Sequence, residues 1–467
     1  MKNMTPDNEN TRINAPLLDS VNVWFEKIYD PTMYYMLRYG GRLDEKLLEK
    51  AVLLTIEADP YLSSRYLETE DEAFWEKMPK SSFKPYFTLQ KYPKDISEIF
   101  ANPPEPVDVR SAPQLRLDLY RDETGNSGDI LIFALHHGFA DAHGNISVAS
   151  AVMKTYIRLS EDPGYVPKYK GRYPRDTKTI PGRFTPEQRE EAAKSDEITF
   201  EPNWSFVCGD ISRGKIFDYT KEYPRGGKRF SVRTISPDNF RKIKAFGKRN
   251  GATINDLMAA AFLISLLKSC GCVSDEKSPK CVLTAGDIRR YYGFDADDNP
   301  MNMSVAFTVT AACDENTPLK AILPWISETV RRHKNGIMGL GFICGVEKIR
   351  ESGLKALRDF YDFHMGEGLS KCTSNPVFSN IGILDTRSYD TVPGCLPCGK
   401  SPTGIKLEYA LFMPVISHAP GFSVIVSTYG EQMTLVSGYE DANTDRGRVE
   451  ALLADMEERL VRESEEE

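Results

Sequence analysis

The chain has 467 residues, of which 41% are hydrophobic, 10% aromatic and 27% charged, and its formal net charge is −8. This composition is typical of a globular protein that buries sizeable cores, and it argues against intrinsic disorder. The negative net charge argues against a general nucleic-acid partner. Nine cysteines without regular spacing fit reduced thiols better than a disulfide framework.

The N-terminal residues have neither the basic start nor the apolar stretch of a secretory signal. No later segment reaches the roughly 18 apolar residues that a membrane helix needs. We therefore expect a cytoplasmic protein without a membrane span.

The first predicted elements are an amphipathic helix and two strands. Residues 44–58 predict the helix, with Asp44 as its N-cap. Residues 114–120 and 129–135 predict the strands, and the second is apolar on both faces, as an inner strand should be. The stripe of the helix is predicted to contain Leu47, Ala51, Leu54 and Ala58.

A change of composition at residues 163–195 predicts a linker, since this stretch is rich in Pro, Gly and charge. The length of the chain favours two domains. We expect an N-terminal domain at 1–175, a linker at 176–205 and a C-terminal domain at 206–467.

The C-terminal part predicts strands mixed with helices. A strand at 228–235 precedes a charged helix from Pro237 and a second helix that Thr253 and Asp256 begin as a capping box. The second helix is expected to be buried along most of its length.

Three later strands are predicted at 377–384, 422–429 and 432–439, and the last two form a hairpin. An amphipathic helix around Val449 to Leu460 closes the chain, and the final ESEEE is expected to fray.

The densest cluster of reactive side chains lies in LIFALHHGFADAHG, residues 131–144, where a buried strand ends at His136, His137, Asp141 and His143. A strand end fixes an imidazole while the following loop leaves it open to substrate. Histidine suits a general base because its pKa lies near neutral pH.

Two metal sites are weaker alternatives. The four polar residues of this cluster have suitable ligand atoms, but adjacent histidines on an extended strand point to opposite sides. A zinc site from Cys395 and Cys398 with the distant Cys270 and Cys272 lacks the pattern of a known zinc module. We therefore predict no metal.

HHGFAD resembles the HHxxxD signature of the superfamily that contains chloramphenicol-acetyltransferase-like enzymes, alcohol acetyltransferases and condensation domains of peptide synthesis. Three further segments resemble those of the superfamily in the same order: GATINDLMAAAF at 251–262, AGDIRRYYG at 285–293 and FSNIG at 378–382. The resemblance extends from about Ala15 to Leu460.

The resemblance implies an α/β (α+β) fold in which two similar subdomains, each a mixed sheet with helices, meet at a central tunnel. The acyl donor would be a thioester of coenzyme A or of the phosphopantetheine arm of a carrier protein, and no cofactor would be bound permanently. A small-molecule acceptor would enter from the other side.

The same resemblance implies roles for single residues. His137 would be the base, and Asp141 would have a structural role in the catalytic motif, paired with Arg289. The remaining site residues are two supports of the motif and two residues of the tunnel wall, namely His136, Gly138, Ser379 and Asn380.

Two departures from the superfamily stand out. Ala142 follows the motif aspartate where a glycine is usual, and the glycine comes only at Gly144. The Asp-Phe-Gly-Trp-Gly motif of the plant branch is also missing, which disfavours a plant-type enzyme.

A basic segment at residues 211–250 has twelve Lys or Arg and three acidic residues. It predicts either a solvated surface, which we favour, or a landing site for a phosphate-bearing acyl donor or an acidic carrier protein.

The leading hypothesis is an acyltransferase that moves an acyl group from a thioester to a hydroxyl or an amine. Acyl-CoA is favoured as the donor because the chain has no carrier or adenylation domain. The alternatives are a stand-alone condensation enzyme that uses carrier-protein thioesters, a non-catalytic binding protein of the same fold, and a metalloprotein.

Overall fold

The computed structural model describes residues 12–124, 127–169, 175–200, 209–210, 215–216, 225–271, 280–291, 300–335, 338–370, 374–394, 404–419 and 421–466. The helices are α1 (Leu17–Trp24), α2 (Glu45–Ala58), α3 (Ser97–Ala101), α4 (Ala142–Glu161), α5 (Pro186–Phe200), α6 (Pro237–Arg249), α7 (Ile254–Cys270), α8 (Leu319–Asn335), α9 (Leu340–Arg350), α10 (Leu354–Ser370) and α11 (Arg446–Glu465). Short 3₁₀ helices lie at Phe25–Lys27, Lys80–Ser82, Thr177–Thr179, Pro181–Arg183 and Ile288–Tyr291.

The strands are β1 (Arg12–Asn14), β2 (Tyr29–Asp30), β3 (Thr32–Tyr39), β4 (Ser64–Glu68), β5 (Ala73–Lys77), β6 (Phe87–Lys91), β7 (Leu115–Arg121), β8 (Ile130–His136), β9 (Gly209–Asp210), β10 (Lys215–Ile216), β11 (Lys228–Ile235), β12 (Lys280–Asp287), β13 (Ser304–Ala311), β14 (Val377–Ile383), β15 (Thr391–Pro393), β16 (Gly404–Met413), β17 (Ile416–Ser417), β18 (Ser423–Tyr429) and β19 (Gln432–Glu440). Small sheets have the orders β1-β5-β4, β10-β9 and β17-β2.

Two six-stranded sheets form the body of the molecule. The first has the order β15-β16-β3-β8-β7-β6, and the second has the order β11-β19-β18-β14-β12-β13. Both sheets are mixed, since β6 pairs in parallel with β7, and β14 pairs in parallel with β12 and β18. Helices pack on both sheets, so the predicted α/β class with two mixed sheets is confirmed.

The strand β8 lies inside the first sheet, between β3 and β7, and all seven of its residues are buried. The prediction of an inner strand at this place is confirmed. Its rigid neighbours fix the direction in which the chain leaves the sheet at His136.

The two sheets meet through side chains of both. Tyr34 and Ile132 of the first sheet share one buried cluster with Phe230 and Val436 of the second, and the rings of Tyr34 and Phe230 are 6.0 Å apart. The strand β16 joins the first sheet although it follows most of the second in sequence. The predicted domain boundaries stay a prediction. Strands β15 and β16 belong to the predicted C-terminal domain in sequence but pair in the first sheet.

The stretch predicted as a linker contains ordered structure at 175–200. Helix α5 packs against α9, and Ile180 and Ala192 join the core of the second sheet. The Pro-rich composition of this segment predicts a linker, but burial of these two apolar side chains fixes it against the core.

Two details of the predicted helices need correction. Helix α2 buries Leu48, Val52 and Ile56 together with Ala51 of the predicted stripe, because it packs against α4 along the neighbouring face. The other residues of the predicted stripe, Leu47, Leu54 and Ala58, are only partly buried. At the C-terminus, α11 continues to Glu465, and Glu463 accepts a hydrogen bond from the backbone N–H of Leu319 at 2.8 Å. This contact at the start of α8 holds residues that the sequence predicts to fray.

Helix α7 begins with the predicted capping box and is buried along most of its length. Within the described ranges, no one helix has both the length and the apolar composition to cross a bilayer. Only α6 and α7 taken together pass that test, and they meet at a bend of 101°.

Candidate active site

The turn between β8 and α4 presents the motif. The backbone N–H of His137 donates to the carbonyl of Pro31 at 2.8 Å, and that of Phe139 donates back to the carbonyl of His136 at 2.9 Å. Asp141 is the N-cap of α4, and its Oδ1 accepts from the N–H of Gly144 at 3.0 Å. A strand end, a tight turn and a capped helix thus hold the motif on both sides.

The delayed glycine has a steric reason. A Cβ on Gly144 would lie 2.6 Å from the Cβ of Ala140 and 3.0 Å from the backbone nitrogen of Met301. Ala142, by contrast, occupies the first turn of α4, where a methyl group is tolerated. The structure therefore needs glycine at position 144, because the chain at Met301 approaches there.

His137 is partly exposed, whereas its Nδ1 atom is buried and has no hydrogen-bond partner. Burial lowers the pKa of His137, and its own backbone carbonyl and the charge of Asp141 only partly oppose that shift. The ring of Tyr29 lies alongside, with 6.1 Å between the two ring centroids. A lowered pKa keeps this imidazole neutral at neutral pH and able to take a proton.

His136 is buried and uses both ring nitrogens. Its Nδ1 accepts from the N–H of Gly138 at 2.9 Å, so the ring proton is on Nε2, which lies 3.0 Å from Oε1 of Glu26. Burial raises the pKa of Glu26, but hydrogen bonds from His136 and Arg110 outweigh it and bring the pKa to about 2. His136 thus stabilises the turn, and neither of its ring nitrogens is free to take a proton from a substrate.

Asp141 and Arg289 form the buried ion pair that the resemblance implies. Arg289 reaches both carboxylate oxygens at 2.8 Å, and the N–H of Met303 donates to Oδ2 at 2.8 Å. Burial raises the pKa of Asp141, yet the charge and hydrogen bonds of Arg289 outweigh it and bring the pKa to about 2. The carboxylate is therefore occupied with assembling the site.

A further histidine of the motif region, His143, contacts the second sheet. His143 Nδ1 lies 3.0 Å from Oδ2 of Asp287, at the end of β12, and Nε2 lies 3.4 Å from the carbonyl of Ile381, in β14. The hydrogen bond with Asp287 raises the pKa of His143, although burial opposes it. Both partners are acceptors, so the contacts favour the doubly protonated imidazolium.

The FSNIG segment lies in β14. The contact of His143 with the carbonyl of Ile381 links this strand to the motif. A register shift occurs between Asn380 and Gly382, where Asn380 Oδ1 accepts from the N–H of Gly382 at 2.9 Å and Gly382 has a φ of +85°. Ser379 and Asn380 are partly exposed. Among the described residues, neither side chain hydrogen-bonds to His137, so their role in a tunnel wall stays a prediction.

Solved structures are similar to nearly the whole chain at low sequence identity. One is a trichothecene 15-O-acetyltransferase from Fusarium sporotrichioides, with 16% identity, a TM-score of 0.69, and coverage of 96% of this chain and 94% of that chain. Another is the first condensation domain of the CDA synthetase, with 14% identity, a TM-score of 0.62, and coverage of 98% and 97%. A third is the epimerization domain from the third module of tyrocidine synthetase B, with 13% identity, a TM-score of 0.63, and coverage of 99% of both chains.

The chain has the chloramphenicol-acetyltransferase-like fold. No protein-family model and no curated protein matches its sequence. At these identities the structural similarity establishes the fold alone.

Sequence reasoning missed several polar residues of this chloramphenicol-acetyltransferase-like fold. Glu26 braces His136, and Asp19, Arg175 and Asn302 form a buried network beside the turn. The only local signal is Asp19, a single acid inside the apolar run APLLDSVNVWF. The others have no local signal, because their partners are far away in sequence.

The geometry also bears on the metal alternatives. Asp141 pairs with Arg289, whereas His136 and His143 turn to separate carboxylates. In the described part of the chain, no three His, Cys, Asp or Glu side chains are grouped as metal ligands. Cys272, Cys395 and Cys398 lie outside the described residues.

Five of the nine described Lys and Arg side chains of the basic segment at 211–250 form ion pairs with acids. Its start, including Arg213, Lys221 and the side chain of Lys215, lies outside the described part. The ion pairs are Lys228 with Asp30, Arg229 with Asp441, Arg233 with Glu457, Arg241 with Asp238 and Glu431, and Lys242 with Glu465. These pairs favour the predicted solvated surface over a landing site.

Proposed function

We propose that the protein is an acyltransferase that moves an acyl group from a thioester to a hydroxyl or an amine, with His137 as the general base. The observation that carries this proposal is a partly exposed imidazole directly after the inner strand β8, whose pKa is lowered by burial. The buried pair of Asp141 and Arg289 holds the turn beside it. A base on a rigid element with its pKa lowered by burial suits proton abstraction at neutral pH.

The proposed reaction is direct transfer. Nδ1 of His137 is buried, which leaves Nε2 to accept a proton from the hydroxyl or amine. The acceptor oxygen or nitrogen then bonds to the carbonyl carbon of the thioester, and the C–S bond breaks. The departing thiolate takes the proton back from His137, so no acyl-enzyme is formed.

Two kinds of donor are considered because the similar structures are of two kinds. One of these structures is an O-acetyltransferase, and others are condensation domains of synthetases. We favour acyl-CoA as the donor and a small-molecule acceptor, with a carrier-protein thioester as the second candidate. The absence of a permanently bound cofactor is part of the proposal, since the reaction needs none beyond the thioester.

The test is incubation of the protein with a panel of acyl-CoAs and acyl-carrier-protein thioesters, together with alcohols and amines. Release of free thiol and the mass of the product are measured. We expect transfer from at least one donor, and the variant His137→Ala should lose about 10²-fold or more of the rate.

The matched control is His364→Ala, which removes an exposed histidine of α10 and should keep full turnover. Full turnover by the His137 variant would refute the mechanism. Binding of donors without any transfer would instead indicate a non-catalytic binding protein.

A further inference from the structure

A buried polar network contacts the turn between β8 and α4 that carries His137. The carboxylate of Asp19, in α1, accepts three hydrogen bonds at 3.0 Å, from Trp75 Nε1, Arg175 Nη2 and Asn302 Nδ2. All four residues are at most 4% exposed. They come from α1, from β5, from the segment after residue 174 and from the segment before β13, so the tertiary structure alone assembles them.

The network holds the backbone of the turn itself. Asn302 Nδ2 donates to the carbonyl of Gly138 at 3.2 Å, and Arg175 donates to the carbonyls of Phe139 and Pro300. Gly138 and Phe139 directly follow His137 in the chain. The hydrogen bonds to these carbonyls therefore hold the backbone directly after His137.

Arginine is suited to this place by its shape as well as its charge. Its guanidinium is 4.1 Å from the ring centroid of Tyr61 and 4.8 Å from that of Phe139. The planar fork donates to one carboxylate and two carbonyls at once, which a lysine ammonium on a flexible stem cannot reproduce. The buried charge of Arg175 is neutralised by Asp19.

Asn302 also has one side-chain atom that is left without a partner. Both acceptors of its Nδ2 atom are oxygens, which fixes the orientation of the amide, and its Oδ1 is buried without a hydrogen-bond partner. Nδ1 of His137 is likewise buried and unpartnered. The Asn302 side chain lies close enough to raise the pKa of His137, against the larger effect of burial.

We propose that Asp19, Arg175 and Asn302 are positioning residues for His137. Asn302 presents its amide oxygen to Nδ1 and so directs Nε2 to the acceptor, while Asp19 and Arg175 fix Asn302 and the two carbonyls of the turn. This inference rests on the proposed function, because positioning matters to turnover only if His137 is the base. Hydrogen bonds of this kind are often loose in a free enzyme and tighten when substrate binds.

The experiment compares Asn302→Ala with the wild type in two measurements. The first is kcat and KM for an active donor and acceptor pair. The second is the pKa of His137 from NMR of histidine-labelled protein, with the signal assigned by its loss in His137→Ala. We expect kcat to fall about 10²-fold with little change in KM, since a misplaced base costs about that much. The pKa of His137 should fall, because an acceptor that favours the protonated ring is removed.

Gln114→Ala is the matched control. Gln114 is a fully buried carboxamide that donates to the carbonyls of Ser64, Val109 and Ser111 and has an unpartnered oxygen, as Asn302 has. Its loss should leave kcat and the pKa of His137 as in the wild type. Arg175→Lys, which keeps the charge, is measured in the same way. It is the test variant if Asn302→Ala does not fold.

The outcomes separate the two proposals. Wild-type kcat and His137 pKa in both Asn302→Ala and Arg175→Lys would overturn the positioning role and leave the proposed function intact. Equal losses of kcat in Asn302→Ala and Gln114→Ala would also overturn it. A fall of the His137 pKa in a protein that transfers no acyl group would support the network and overturn the proposed function.

Discussion

Arg289 donates to both carboxylate oxygens of Asp141, Nη1 to Oδ2 and Nη2 to Oδ1, at 2.8 Å each. The pair is nearly inaccessible to solvent, with side chains 3% and 4% exposed. It joins the start of α4 to the 3₁₀ helix that follows β12, 148 residues later. The motif aspartate is thus bound to the other sheet, and it contributes to the site by holding the turn on which His137 lies.

The first prediction concerns this ion pair. Asp141→Ala should lower the free energy of unfolding by about 3–5 kcal/mol, because it leaves the charge of Arg289 buried without a partner. The double variant Asp141→Ala/Arg289→Ala should recover part of that loss. Denaturant titration measures both. Arg158→Ala, from the exposed pair with Glu161, is the control and should leave stability nearly unchanged. An additive double variant would contradict the assignment.

The second prediction is a dependence on acid. The pKa of Asp141 is about 2 in the folded protein, against an ordinary value of 3.8. A lowered pKa means that the stabilisation is complete above pH 3.8 and is lost as the pH falls through about 2. It amounts to about 2 kcal/mol. Stability measured between pH 2 and 5 should show this loss in the wild type and lack it in Asp141→Asn.

The third prediction concerns His143, whose pKa is raised above 6.5 by Asp287. A raised pKa means that the stabilisation is fully present below pH 6.5 and is lost as the pH rises through the pKa of the folded protein. The midpoint of thermal unfolding should therefore fall less between pH 6 and 8 in His143→Gln than in the wild type. His364→Gln should keep the wild-type fall, and an unchanged slope in His143→Gln would refute the contact.

The fourth prediction compares two glycines that have open space around them. Gly382 has a φ of +85° in β14, whereas Gly345 is exposed inside helix α9. Gly382→Ala should cost about 1–2 kcal/mol, since a Cβ strains that backbone. Gly345→Ala should gain about 0.5–1 kcal/mol because alanine is the better helix former. Denaturant titration gives both values, and equal signs would contradict the backbone assignment.

Most of the elements that local sequence signals predicted lie within a residue or two of the predicted bounds. The strand at 228–235 and the helix that Thr253 caps are where the pattern predicts them. The hairpin of β18 and β19 turns at Gly430, which has a φ of +57°. These features depend on residues a few positions apart, and period and capping chemistry reveal such residues directly.

The sequence by itself also determined the cluster of His136, His137 and Asp141, since a strand followed by a capped helix brings them to one turn. The family resemblance implied the pairing of Asp141 with Arg289, whereas only the tertiary structure decided the contacts of His136 and His137. Glu26, Arg289 and Asn302 reach the turn from 110 or more residues away, as measured from His136, Asp141 and Gly138 respectively. The physical reason is that a buried charge or amide needs a partner somewhere in the packed molecule, and no local pattern states which residue supplies it.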